Sequence, residues 1–273
     1  MPAVVSTLAL ERPRSLKAAL TLLANEPTLT PIAGCTDVYV GLHFGTMPHK
    51  RFIDLWSLNE LRGISVERDV LRIGALSTYT EIIESKLVQK RVPMLVAASR
   101  EVGGAQIQNR GTLGGNVANA SPAGDALPVL AASGARVVLR SHTATRTVPF
   151  DTFYTAYRTS VRRPEELITA IEIPRIDGQQ WWRKVGTRRA QAISKIMMAG
   201  VRGRDVRVAI GSVAPTVVLA TNAAAVLSRG GSIADAKAAL LSEIAPIDDI
   251  RSTREYRATV AANLLESFWS QTA

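Results

Sequence analysis

Cysteine is almost missing from this chain: among 273 residues there is one, Cys35. No intrachain disulfide is possible. A [2Fe–2S] cluster, which takes four thiolate ligands, cannot be held by this chain alone. Histidine is nearly as scarce. His43, His49 and His142 lie far apart, with no HExxH and no paired spacing, so no zinc site is expected. Aromatic residues make up 5% of the chain, and none of them interleave with basic residues in the manner of an RNA-binding strand, so no nucleic-acid partner is expected. Long apolar runs are absent too. VLAASGARVVL carries Arg136, and VRVAIGSVAPTVVLA carries Arg207 and Pro215, whereas a membrane-spanning helix needs about 20 apolar residues. The opening MPAVVSTLALERPR has no basic start followed by an apolar stretch and a cleavage site. A soluble, cytoplasmic protein is expected.

What is there is a chain able to fold. Its hydrophobic fraction is 47%, enough for a buried core and against wholesale disorder. Its length suggests two domains, at roughly 150 residues each. The net charge is +10. Such a balance marks nucleic-acid binding, an anionic cofactor or an acidic partner. The basic residues form no single block; they gather locally at Arg158–Arg163, Arg183–Arg189 and Arg202–Arg207, where plain solvated charge is an equal reading.

The pattern of apolar residues and caps places the elements. Ser15 caps a helix to Asn25 with Leu16, Ala19, Leu20 and Leu23 on one face. TLTPIAG reads as a short strand running into a glycine turn, and Asp37–His43 as a brief helix. RFIDL, GISVE and VLRIGA are strands, with Arg68-Asp69 turning between the last two. Thr78 starts a helix, Pro93 starts another, and DALPVLAASG is a short buried helix ended by Gly134. ARVVLRS, TRTVPF and ELITAIEIP are strands, the last stopped by Pro174. Three further strands (QWWRKVGT, ISKIMMAGVRG, VRVAIGSV) precede helices capped by Thr221 and Ser232 and a final helix over about 253–267. Strands followed by helices within one block point to an α+β unit, with a boundary near 174–178.

Two glycine-bearing loops stand out, IAGCTD at 32–37 and GTLGGN at 111–116. Glycine lets a ligand approach the backbone, and successive exposed N–H groups suit phosphate oxygens. Thr36, Thr112 and Asn116 stand ready with polar side chains. There is no GxxxxGK[ST] and no GxGxxG, so neither a P-loop nor a Rossmann site is supported. Taken alone, IAGCTD is equally a plain turn. Together the loops suggest a phosphate or pyrophosphate site of no familiar nucleotide fold.

Four segments in order carry a resemblance. PIAGCTDVYVGL resembles the AGGTDL loop of the flavin subunits of molybdenum hydroxylases. RGTLGGNVANASPAGDALPVL resembles their T-x-G-G-N…S-P…D…P segment. FYTAYRTSVRRPEELITAIEIP and KVGTRRAQAISK resemble the strands that follow. The family includes the FAD subunits of carbon monoxide dehydrogenase and bacterial xanthine dehydrogenase. The sequence departs from its pattern where Cys35 replaces the second glycine of AGGTD, and where Ala156-Tyr157-Arg158 replaces G-Y-R.

The resemblance implies an α+β fold: a two-subdomain FAD-binding domain of the vanillyl-alcohol oxidase type over 1–175, then a smaller α+β C-terminal domain over 176–273. It implies that the first loop (Ile32, Ala33, Gly34, Cys35, Thr36, Asp37, Val38) and the second (Thr112, Gly114, Gly115, Asn116) hold the FAD pyrophosphate through backbone N–H groups. It implies flavin contacts at Val102, Asp125, Leu167, Lys184 and Ile193. No residue of this chain is expected to act as acid or base, because the flavin carries the chemistry. Molybdopterin and [2Fe–2S] clusters are expected on partner subunits, in a dimer of heterotrimers, with NAD or another acceptor taking the electrons. The resemblance is nearest to bacterial xanthine dehydrogenases. A stand-alone flavin oxidoreductase and a basic nucleotide-binding module are the alternatives.

Overall fold

A computed structural model describes residues 7–273; residues 1–6, the start of the segment read for a leader, lie outside the described residues. The first layer is a small parallel sheet in which β3 (Arg51–Asp54) lies between β1 (Ala9–Glu11) and β2 (Thr30–Ile32). The connection from β1 to β2 is α1 (Leu16–Asn25). It starts where the Ser15 hydroxyl accepts the Ala18 amide, and it buries Leu16, Ala19, Leu20 and Leu23. That spacing sets one stripe inward, and each buried leucine contributes about 1.5–3 kcal/mol. The connection from β2 to β3 holds α2 (Val38–His43), which buries nothing.

The second layer is an antiparallel sheet of five strands in the order β4-β5-β10-β6-β7: Ile64–Glu67, Val70–Gly74, Leu167–Ile173, Arg136–Arg140 and Thr145–Pro149. The helices between β5 and β6 cover it: α3 (Tyr79–Glu84), α4 (Lys86–Arg91), α5 (Pro93–Arg100), α6 (Ala105–Gln108), α7 (Leu113–Asn119) and α8 (Leu127–Ala132). A small hairpin, β8 (Tyr154–Ala156) with β9 (Thr159–Ser160), precedes β10. After Pro174 the chain enters a four-stranded antiparallel sheet of β11 (Gln179–Val185), β12 (Ile196–Arg202), β13 (Arg207–Gly211) and β14 (Val218–Leu219). Three helices follow: α9 (Thr221–Ser228), α10 (Ile233–Glu243) and α11 (Arg254–Gln271). Strand β12 is buried along nearly its whole length because α8 packs on it from the first domain and α11 from the second. At Gly200 a Cβ would come 2.5 Å from the Phe268 ring. The whole is α+β, as expected. Among the described residues no helix is long and apolar enough to cross a membrane.

Three expectations shift in detail. The bare run 113–119 is helical, where glycines argued for a loop. The Thr112 hydroxyl accepts the Gly115 amide, and Leu113 and Val117 are buried one turn apart, so packing overrides propensity. Thr221 does not cap α9 but begins it; the amides of Asn222 and Ala223 donate instead to the Glu243 carboxylate. The last helix runs on to Gln271, whose amide oxygen accepts from the Trp181 indole at 2.8 Å.

One ion pair staples β7 to the entry of β10. Arg146 reaches Glu166 with two bonds of 2.7 and 2.8 Å, and the Arg163 amide donates to the same carboxylate at 2.8 Å. Burial alone would push the Glu166 carboxyl up, but the Arg146 and Arg163 bonds outweigh it and hold the group below its usual range. A lowered carboxyl adds stability above the unfolded-state value, and that stability is lost as pH falls through the folded value. Urea midpoints measured across acid pH should therefore drop below the usual carboxylate range. Glu166→Gln should lose about 1.5 kcal/mol at neutral pH, the loss of charge-assisted bonds screened by solvent on the Arg146 side, and show a shallower acid-side decline.

Candidate functional site

The site begins where β2 ends. Between Ile32 and α2 the chain turns through residues 33–37, and Cys35 sits at φ 62. This left-handed conformation favours glycine and costs about 1–2 kcal/mol for a residue with a Cβ. The Cys35 thiol donates to the Ala33 carbonyl at 3.4 Å, and burial, then Asp54, pushes its pKa up. Gly34 has a different reason to be glycine: a Cβ there would lie 1.6 Å from the Arg110 carbonyl oxygen. The two glycine loops thus meet backbone to backbone. Among the described residues, the amides of Gly34, Cys35, Thr36 and Asp37 find no acceptor. Beside them the exposed Arg110 guanidinium lies 3.7 Å from the centre of the Trp56 ring, with Arg62 at 4.5 Å from the same ring. Arg110 has no carboxylate partner among the described residues.

The second loop is built otherwise. Its amides are engaged within the protein: Leu113 donates to the Ser77 carbonyl, Gly114 to Ala75, Gly115 to the Thr112 hydroxyl and Asn116 to the Thr112 carbonyl, at 2.9–3.1 Å. A Cβ on Gly114 would fall 2.6 Å from Ala75, so this glycine serves close packing. Gly115 alone of the pair faces outward, with only the Thr112 hydroxyl near its missing Cβ, at 2.8 Å. Asn116 is half-buried, and its Oδ1 is a buried acceptor that finds no donor among the described residues. An orphaned buried acceptor calls for a partner from outside the chain. Gly124 lies against the Asn116 amide, where a Cβ would come within 3.0 Å, which sets the turn before Asp125 against α7.

Asp125 is buried and carries two bonds that cross between the domains. Lys184 of β11 donates to it at 2.8 Å, and the buried Ser194 hydroxyl donates at 2.5 Å. Lys184 also donates to the Glu101 carbonyl at 3.0 Å. Burial pushes the Asp125 carboxyl up, while the Lys184 ammonium and Ser194 hydroxyl pull it down. Val102 follows Glu101 at the end of α5, half-buried. Gly104 would meet the Gln191 side chain at 3.2 Å if it bore a Cβ, so the 101–104 turn touches the 186–195 loop. Ile193 projects from that loop, 58% exposed.

Contacts link most of the residues singled out from sequence in a chain: loop 32–38 to Arg110, Asn116 to the turn before Asp125, Asp125 to Lys184 and Glu101, and the 101–104 turn to the loop that carries Ile193. Thr112 and Gly114 are buried in packing, and Leu167 lies further in. Its side chain is enclosed in the core cluster around Leu55, Leu58, Leu61 and Leu76, onto which Ala33 packs. Arg158, at φ 53, keeps its turn and donates to the Asn119 side chain at 2.8 Å, which ties β9 to the end of α7. Sequence reasoning missed Trp56 and Ser194. Trp56 directly follows a predicted strand end, and Ser194 is a small polar residue entering an otherwise apolar strand; neither signal is specific.

The loop contacts make two substitutions diverge. Gly34→Ala should lose several kcal/mol of stability, since the clash is with backbone and cannot relax by a rotamer change. Cys35→Gly should leave stability within about 1 kcal/mol, because relieved φ strain opposes greater unfolded-state freedom. Thermal midpoints of the two variants check this.

Comparison with known proteins gives the family. Residues 6–176 match the family model described as FAD binding domain in molybdopterin dehydrogenase, and residues 183–272 match that of the CO dehydrogenase flavoprotein C-terminal domain. The chain is 29% identical over 272 residues to the glyceraldehyde dehydrogenase medium chain of Sulfolobus acidocaldarius, covering 96% of this chain and 97% of that one. It is 30% identical over 263 residues to a xanthine dehydrogenase FAD-binding subunit of Escherichia coli, covering 90% and 89%. Its fold superposes with a TM-score of 0.91 and 26% identity, over 100% of both chains, on a chain of the carbon monoxide dehydrogenase from Hydrogenophaga pseudoflava that lacks the Mo-pyranopterin moiety of its cofactor. The unpartnered amides, the unpaired arginine and the orphaned Asn116 acceptor fit a flavin dinucleotide, and the chain belongs to the FAD-binding flavoprotein family of the molybdenum hydroxylases.

Proposed function

We propose that this chain is the flavin subunit of a cytoplasmic molybdenum hydroxylase, most like bacterial xanthine dehydrogenase. It takes electrons from an iron–sulfur subunit and passes them to NAD or another acceptor. A separate molybdopterin subunit hydroxylates the substrate, and the assembly is a dimer of heterotrimers. The single observation that carries the cofactor reading is the row of free amides at 34–37 set beside Arg110. Backbone N–H groups and an unpaired guanidinium recognise a diphosphate without any sequence fingerprint for a P-loop. The nearness to xanthine dehydrogenase rests on overall similarity, since the relatives act, by their names, on different substrates.

Residue roles follow. In residues 1–175, loop Ile32–Val38 donates to the pyrophosphate, and Arg110 supplies counter-charge, held in place by Trp56. Thr112 keeps α7 capped, so that Gly115 and Asn116 face the ligand, and Gly114 lets α7 lie close on Ala75. Leu167 supports the first loop from beneath, through the cluster it shares with Ala33. Asp125 and Lys184 form the polar floor at the flavin end, Val102 borders it, and Ile193 covers it from the C-terminal domain, residues 176–273. When bound, FAD supplies the electron-transfer chemistry. The chain's own part is to bind it, orient it and exclude water from one side.

Titrating purified chain with FAD tests this. Saturable uptake with a visible flavin absorption band supports the reading; a colourless chain that takes up no FAD overturns it. Arg110→Ala should weaken FAD binding by about tenfold, the loss of one charge-assisted contact. It should also flatten the dependence of affinity on salt. Co-purification of the native complex, with its metal content and a panel of purines, aldehydes and other heterocycles, tests the partners and the substrate.

A further inference from the structure

We infer that Arg257 and Ser212, both in the C-terminal domain, are positioning residues that set the Asp125 carboxylate for the cofactor. The inference rests on the reading that Asp125 lies against FAD. Ser212 follows β13 in a left-handed conformation, φ 65, and is buried. A non-glycine residue stays in that conformation only where its surroundings over-determine it, and here three bonds do so. The Ser212 amide donates to the Pro122 carbonyl at 2.9 Å. Its hydroxyl donates to the Ser194 carbonyl at 3.4 Å. Its carbonyl accepts from the Arg257 guanidinium at 2.7 Å.

Two of these bonds lead to Asp125 by a short route, and the third anchors Ser212 from the other side. Ser194 is the residue whose hydroxyl donates to the Asp125 carboxylate. Pro122 opens the turn that ends at Asp125, a turn closed by the Gly124 amide donating to Ser121. The corner is pressed against that turn: a Cβ on Gly211 would come 3.0 Å from the Pro122 carbonyl oxygen. Arg257 is buried on α11 and is itself fixed by Asp249 at 2.7 Å. Asp249 in turn accepts the amides of Arg251 and Ser252, which locks the segment leading into α11. A continuous set of hydrogen bonds thus runs from Asp249 through Arg257, Ser212 and Ser194 to Asp125, where Lys184 also arrives. Buried polar networks of this kind hold one arrangement because each unsatisfied member is costly. Among the described residues Arg257 Nε finds no partner.

The test compares Arg257→Met, Arg257→Lys and Ser212→Ala with Leu240→Ala. Leu240 is buried in the C-terminal core and makes none of these bonds. Each chain is titrated with FAD, the reduction potential of the bound flavin is measured, and stability is read from urea unfolding. Arg257→Met should weaken FAD binding by about tenfold and shift the flavin potential, within the range that residues acting through others produce. Arg257→Lys, which keeps the cation but reaches only one acceptor, should fall between. Leu240→Ala should lose stability while FAD affinity and potential stay at wild-type values. If Arg257→Met fails to fold, Ser212→Ala carries the test, since it removes only the hydroxyl that meets Ser194. Wild-type affinity and potential in Arg257→Met, or in Ser212→Ala when it stands alone, overturn the inference. A wild-type chain that binds no FAD overturns the underlying reading instead, and the two failures are distinct.

Discussion

The Arg110 carbonyl oxygen occupies the space that a side chain on residue 34 would need. That contact brings the loop after β2 against the turn before α7, with the free amides of 34–37 beside Arg110. Everything ascribed to the cofactor depends on the two loops being that close. The glycines of the pair are therefore not equivalent. Gly34 and Gly114 are small so that the protein can pack against itself. Gly115 is small where the surface is open.

The two ends of this set of contacts solve opposite electrostatic problems. Near residues 34–37 the chain offers amides without an acceptor and, among the described residues, a guanidinium without an ion-pair partner, as suits an anionic ligand. At Asp125 the charge is balanced internally by Lys184, and both groups are nearly enclosed. A buried pair gains little net stability over an apolar substitute, yet breaking it is expensive. Its value here is geometric: it fixes β11 of the second domain to the turn before α8 of the first.

Much of this was legible in the sequence. The Ser15 helix, the strands around Arg68-Asp69 and the Pro174 stop follow from period and punctuation alone. The paired glycine loops suggested an anion site, and resemblance supplied the occupant. What was not legible depended on contacts far apart in the chain. Residues 113–119 look too rich in glycine for a helix, and only the Thr112 cap and the burial of Leu113 and Val117 make one. Glu243 reaches back some twenty positions to cap α9. Leu167 reads as a strand residue by pattern, and its enclosure beneath Ala33 appears only when the sheets are assembled. Trp56 and Ser194 belong to no local motif, so spacing had no means of finding them.

The main apolar cluster counts Ala199, Val201 and Ala209 of the four-stranded sheet among its buried members, beside α8 and the five-stranded sheet. The division near Pro174 is thus a seam in the sequence but not in the interior. Cutting the chain there would leave a raw apolar face on each fragment. Flavin domain and C-terminal domain share one interior, so the surface each hides is the other's core.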